Sequence, residues 1–339
     1  MSAIEPDGKQ KVFMACLIGF LLLIGCREGG LPVLSDEIDP EPAPGVEPTT
    51  GIVFVTTRHV ERQPGALHQN WELYLVQPDG SGLTRLTDND RVDTSPSWSP
   101  DGRQIVYRSR VAGSSDILIM HADGTNIRNL VQDPEDSIDD EFYPRWQPDG
   151  DMIALYTDRF YDPSAECAWH RLAIMPVTGG KDNIQVLDAH RTEQETLTWS
   201  PDGRSIVYSS RCDMTADSSV DLFQWNIETD KVTQVVNDDY INAAPVFSHN
   251  GRFLAYHSVR EGNTDIFILD LETGELVNIT DHPAKDSYPT WSPDDSQVAF
   301  VSDRDGNDDI FVMNADGSNP RNITNHPAKD FEPAWSPAP

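Results

Sequence analysis

Basic residues are scarce in this chain: 25 Lys and Arg stand against 56 Asp and Glu, a formal net charge of −31 over 339 residues. Such a surface repels phosphate backbones and anionic bilayers, so nucleic acid is not expected as a partner. Cysteine is scarce too, with four residues and no Cys-x-x-Cys pair, which excludes a disulfide-built fold and a paired-thiol redox or zinc motif. No apolar run is long enough for a comfortable membrane-spanning helix; the longest, Val12–Gly25, has 14 residues. Gly-x-Ser-x-Gly, His-Glu-x-x-His and a phosphate-binding loop are all missing. Neither an enzyme nor a bound cofactor is therefore expected. What the chain does have is aromatic residues at 9%, eight of them Trp. That is the composition of a packed core and not of a disordered polyanion.

The short apolar run follows Lys9 and Lys11, the arrangement of a signal peptide. It ends Leu23-Ile24-Gly25-Cys26, which resembles the bacterial lipobox. That resemblance implies cleavage before Cys26 and lipid on its sulfur and new amino group, giving a membrane anchor by several acyl chains. The expected product is an exported lipoprotein of the periplasm or outer cell surface. Residues 26–50 contain DEIDPEPAPGVEPTT and show no apolar period. They read as an acidic, Pro-rich, disordered tether. The expected divisions are 1–25 signal peptide, 26–50 tether and 51–339 folded domain.

From Gly51 one pattern recurs. An aromatic precedes Ser-Pro-Asp-Gly or a variant at Trp98, Trp146, Trp199, Phe247, Trp291 and Trp335, at intervals of 48, 53, 48, 44 and 44 residues. That period fits propeller blades of four strands. After each Pro-Asp-Gly turn comes a β-rich run such as Ile105-Val106-Tyr107, then a second such as Asp309-Ile310-Phe311-Val312-Met313. The domain begins with Ile52-Val53-Phe54-Val55, a second strand without its first, and finishes after Trp335-Ser336-Pro337, a first strand without its second. The prediction is an all-β, six-bladed propeller of four-stranded blades, its ring closed by pairing the C-terminal strand with the N-terminal one. Closure leaves few open edges.

The stretch Asp286–Asp294, then Ser302–Asn307, then Asp309–Gly317 resembles the TolB propeller repeat (PD40), the WD40-like group with a Trp-Ser-Pro-Asp-Gly signature. The similarity runs from about Gly51 to Pro337. It implies the propeller fold and leaves function open, because one fold hosts many roles. TolB carries an α/β domain before its propeller and meets a peptidoglycan-associated lipoprotein; here a 24-residue tether, 27–50, precedes the repeats. The same propeller type caps prolyl-oligopeptidase-like peptidases, whose catalytic domain is expected to be absent here.

Candidate sites follow from blade alignment. Five residues before each motif aromatic stand Asp93, Glu141, Gln194, Asn242, Asp286 and Asp330. This ring of carboxylates and amides is a candidate funnel mouth for a cation or basic peptide group, or alternatively a set of turn caps. Long loops at 57–70, 158–170 and 209–219 share that face, and Arg159, Phe160, Tyr161 and Trp169 form a candidate partner-binding surface. Cys167 and Cys212 lie in corresponding loops of adjacent blades and are a candidate disulfide in an oxidising compartment. Asp303, Asp305, Asn307 and Asp309 have calcium-loop spacing without a distal Glu, so a plain turn is expected. The leading reading is a monomeric, lipid-anchored envelope module that binds a protein or peptide and needs no metal. The alternative is a metal-dependent polysaccharide lyase, because some lyases use related propellers with channel histidines; it predicts metal at His190, His282 or His326.

Overall fold

The computed structural model describes residues 48–58, 70–111, 114–131, 139–159, 170–192, 196–210 and 219–338. Six antiparallel four-stranded sheets account for 24 strands. The innermost strands are Asp330–Trp335 of blade one, Val92–Trp98 of blade two, Glu141–Trp146 of blade three, Leu197–Trp199 of blade four, Asn242–Phe247 of blade five and Asp286–Trp291 of blade six. Blade one also contains Ile52–Thr56, Glu72–Val76 and Thr84–Arg85, in the order last strand, first, second, third. The expected closure is therefore present, with Ile52 opposite Trp335 and Thr56 opposite Asp330. Ser336 donates its N–H to the Gly51 carbonyl at 2.9 Å, and Gly51 donates to Ser336 Oγ at 3.0 Å. Gly51 has φ of 142°, and a Cβ there would stand 2.8 Å from the Val76 carbonyl oxygen, so only glycine fits the seam.

The core lies between blades. Second and third strands have a neighbouring blade on each face, which is why Ile52–Val55 and Leu73–Val76 are buried throughout instead of alternating. Val53, Leu73, Trp98, Ile105 and Met120 pack blade one on blade two. Ala255, Ile266, Trp291, Phe300 and Phe311 do the same for blades five and six. Each fully buried aliphatic side chain contributes about 1.5–3 kcal/mol, so these interfaces are a main source of the ring's stability.

The motif aromatic has a defined task in this packing. Its ring fills the wedge near the axis, and its indole N–H needs a buried acceptor. Trp98, Trp199 and Trp291 donate to the carbonyls of Ala334, Arg145 and Val246 in the preceding blades, at 3.0, 2.9 and 3.3 Å. The Ser-Pro-Asp-Gly segment is a closed turn: Ser99 Oγ donates to Asp101 Oδ1 at 2.6 Å and accepts from the Gln104 N–H at 2.9 Å. Blade six replaces the turn glycine with Asp295, at φ of 58°, a conformation Asp tolerates better than most residues. The exchange adds a bond between blades, because the Asp295 carboxylate accepts from the backbone N–H groups of His249 and Asn250 at 2.7 and 3.0 Å.

Candidate functional site

The predicted carboxylate ring exists as a ring, but its members face inward. Asp93, Glu141, Asn242, Asp286 and Asp330 are each 0% exposed; Gln194 lies outside the described residues. Each described member has partners on its own blade. Arg58 holds Asp330 at 2.6 Å, Arg159 Nε holds Glu141 at 2.7 Å, Arg260 holds Asn242 Oδ1 at 3.0 Å, and Arg304 holds both Asp286 oxygens at 3.0 Å. Asp93 accepts from Ser109 Oγ at 2.6 Å and Asn89 Nδ2 at 2.7 Å. The arginines also lie over aromatic rings: Arg58 over Phe54 at 5.6 Å, Arg260 over Phe267 at 4.7 Å, Arg304 over Phe311 at 5.0 Å. Burial holds the Asp93, Glu141 and Asp286 carboxyls above their usual range. A carboxylate locked in this way fastens the first strand of a blade to the end of the second. The described members of the ring thus act as internal clasps.

Of the predicted loop surface, Arg159 is described and is engaged by Glu141 and, at 3.4 Å, by Asp139. Phe160, Tyr161, Trp169, Cys167 and Cys212 lie outside the described residues, as do the expected signal peptide and Cys26. His282 and His326 each turn Nδ1 back into their own His-Pro-Ala loop, accepting from the N–H of Ala284 and Ala328 at 3.1 and 3.0 Å. The His190 side chain is not among those described. No group of three or more His, Cys, Asp or Glu stands at metal-holding distance among the described residues. The Asp303–Asp309 segment is stitched to the neighbouring loop, with Asn307 Nδ2 donating to the carbonyls of His326 and Ala328 at 2.9 and 3.0 Å.

A site that the ring alignment missed lies on the axis. Each innermost strand except that of blade four carries a residue at positive φ three places before the motif aromatic: Ser95, Tyr143, Ala244, Tyr288 and Glu332, between 47° and 55°. A proline follows each of them, and the pairing register slips there in all five blades. These are β-bulges, which bend strands and re-aim side chains. Blade four has Thr196-Leu197 at this place, without proline.

Beyond the bulges, at the Pro-Asp-Gly end, an axial cavity of about 420 Å³ opens. Every blade contributes to its wall, through Trp98, Trp146, Trp199, Phe247, Trp291 and Trp335 and the prolines that flank them. Directly before the aromatic stand Ser97, Arg145, Thr198, Val246, Thr290 and Ala334, all of them lining residues. Arg145 is the one charged member. Burial lowers its pKa, an effect opposed first by Glu332. Glu332 accepts from the Ser95 N–H at 2.7 Å and Ser95 Oγ at 3.3 Å, and burial raises its carboxyl. On the second strand of blade five, His257 Nδ1 accepts from the Tyr288 N–H at 3.5 Å. His257 is half-buried, and burial, then Lys285, pushes its pKa down to about 4. It is neutral at physiological pH. The sequence did contain a signal for this site: the column before the aromatic holds a single arginine among small or uncharged residues.

Among curated proteins, dipeptidyl-peptidase 5 of Porphyromonas endodontalis is 27% identical over 231 residues, covering 56% of this chain and 33% of that protein. This chain spans between 30% and 48% of the length of the curated relatives it matches. TolB from Acinetobacter baumannii superimposes with a TM-score of 0.66 at 18% identity, over 85% of this chain and 67% of that one. A putative TolB from Agrobacterium tumefaciens gives 0.62 at 17% identity, over 86% of this chain and 100% of that one. At such identities the likeness to solved structures is one of fold. The family model for the TolB beta propeller domain matches residues 62–220 and 162–339. With a match over most of its length and six blades closed through the shared first blade, the chain belongs to the TolB-type propeller (PD40) family.

Proposed function

We propose that this protein is a binding module of the cell envelope, held to a membrane by lipid on Cys26 and extended from it by the tether at 26–50. Its role is to hold a protein or peptide partner, and its work is binding and not catalysis. The observation that supports this reading best is the axial cavity, with a wall drawn from all six blades. A concave site that sets apolar side chains beside convergent polar groups is the usual form of a binding pocket. The aromatic and proline lining offers large contact area at little entropic cost, the quality that makes such residues interface anchors.

The test is capture from the native envelope after mild crosslinking, with the wild-type chain and Thr198→Tyr as baits. Thr198 lines the cavity and is half-buried, so the larger side chain narrows the hole without touching the clasps. A partner enriched by the wild type and lost with Thr198→Tyr is the expected result. A partner retained equally by both baits places the contact elsewhere, and enrichment of nothing by either removes the reading.

A further inference from the structure

We infer that the axial cavity receives the C-terminal end of a peptide, with Arg145 as the anchor for its terminal carboxylate. This rests on the binding-module reading and names the chemistry of its ligand.

The residues equivalent to Arg145 show what its position is for in the fold. Ser97 Oγ accepts from the Trp146 N–H at 3.1 Å, and Thr290 Oγ1 accepts from the Trp335 N–H at 3.3 Å. Both tie one blade to the next. Val246 and Ala334 at the same place are apolar. In blade three the link to blade four is made by backbone, with the Arg145 carbonyl accepting from Trp199 Nε1 at 2.9 Å. The Arg145 side chain takes no part in it. Its guanidinium has five N–H donors, and one of them donates, to the adjacent Pro144 carbonyl at 2.9 Å. Among the described residues it forms no ion pair. Arg145 is half-buried in the cavity wall, so its remaining donors are open to whatever enters the hole, and a guanidinium fork matches a carboxylate in two parallel hydrogen bonds.

Two observations narrow the anion to a peptide end. The protein as a whole carries −31, so extended polyanions are repelled before they reach Arg145. The hole is axial, walled by six strands, and opens at the Pro-Asp-Gly face, so a chain enters it end-on. An end-on chain presents either an ammonium or a carboxylate, and Arg145, one residue from the motif aromatic, selects the carboxylate. The cavity wall beside it is proline and indole edge, surfaces that take apolar side chains of the last few residues. Glu332 sits further along the axis, occupied by Ser95.

The experiment titrates the purified full-length chain with a pool of proline-containing hexapeptides bearing a free C-terminal carboxylate. The controls are the same pool amidated, an amidated pool with an internal Asp, and inorganic phosphate. Peptides lack Trp, so quenching of the cavity indoles reports occupancy, with calorimetry as the second readout. The free-acid pool is expected to bind, and amidation or Arg145→Gln to weaken it by roughly tenfold or more, as befits a lost charged hydrogen bond. Arg145→Lys should recover part of the loss. Thermal unfolding of each variant controls for folding, and no clasp residue is altered. Equal binding of acid and amidated pools removes the carboxylate anchor while leaving the binding-module reading intact. So does undiminished binding by Arg145→Gln. Binding of phosphate or of the internal-Asp pool as tight as the free acid overturns the assignment to a peptide terminus. Silence from every peptide at millimolar concentration overturns the inference, whereas the crosslinking capture decides the broader reading separately.

Discussion

Arg304 shows how much one side chain carries in this protein. It joins both oxygens of buried Asp286, bonds Ser302 Oγ at 2.8 Å, and lies over Phe300 and Phe311. Arg304→Ala leaves a carboxylate buried without a counter-charge, which costs about 3–5 kcal/mol. Asp286→Asn should cost less, because the amide keeps an acceptor for Arg304 as Asn242 does for Arg260 in blade five, although Arg260 there also has Asp238 at 2.9 Å as its counter-charge. Urea unfolding of the two variants checks the order; a larger loss for Asp286→Asn would mean that the clasp is not the source of stability. The ring residues were legible in sequence as a column of carboxylates and amides. Their burial was not, because the arginines that neutralise them lie 18 residues further on, as in Asp286 with Arg304 and Glu141 with Arg159. Only the pairing of the first two strands brings those positions together.

At the scale of the element, the innermost strand is the part least like an ordinary β-strand. Five of the six depart from extended backbone at the residue before proline, where a left-handed conformation costs an L-residue about 1–2 kcal/mol. Ala244 has a methyl side chain to lose and φ of 51°, and its N–H donates to Thr196 Oγ1 at 3.0 Å. Ala244→Gly should therefore raise stability by about 0.5–1 kcal/mol, the strain relieved exceeding the added freedom of the unfolded chain. The midpoint of urea unfolding measures it, and a decrease would show that the bulge is unstrained. Blade count, strand order and turn chemistry were readable from the Trp-Ser-Pro-Asp-Gly period, because each rests on local sequence. The bulges were not, although a proline two places before the aromatic marks five of them. Period-two patterning has no way to express one residue rotated out of register.

For the whole molecule, closure is the property on which the rest depends. The first blade draws one strand from the C-terminal end and three from the N-terminal side of the domain. Deleting residues 330–339 removes that strand, the Ser336 bond to Gly51 and the partner of Ile52–Thr56. The truncated chain should elute as oligomers in size-exclusion chromatography and lose its single cooperative thermal transition, since a bare apolar strand edge recruits other chains. A monomeric, cooperatively unfolding product would show that the ring holds without its closing strand.

The seam also sets a timetable. Gly51 and Ser336 are 285 residues apart, so the first strand of the domain waits for nearly the last before its edge is covered. Contacts so distant in sequence form slowly. Blades two to six each come from a contiguous stretch of chain, while blade one needs both ends of the domain. Until the last strand arrives the folding chain is an open arc with an adhesive edge, and shielding of Ile52–Thr56 matters most in that interval.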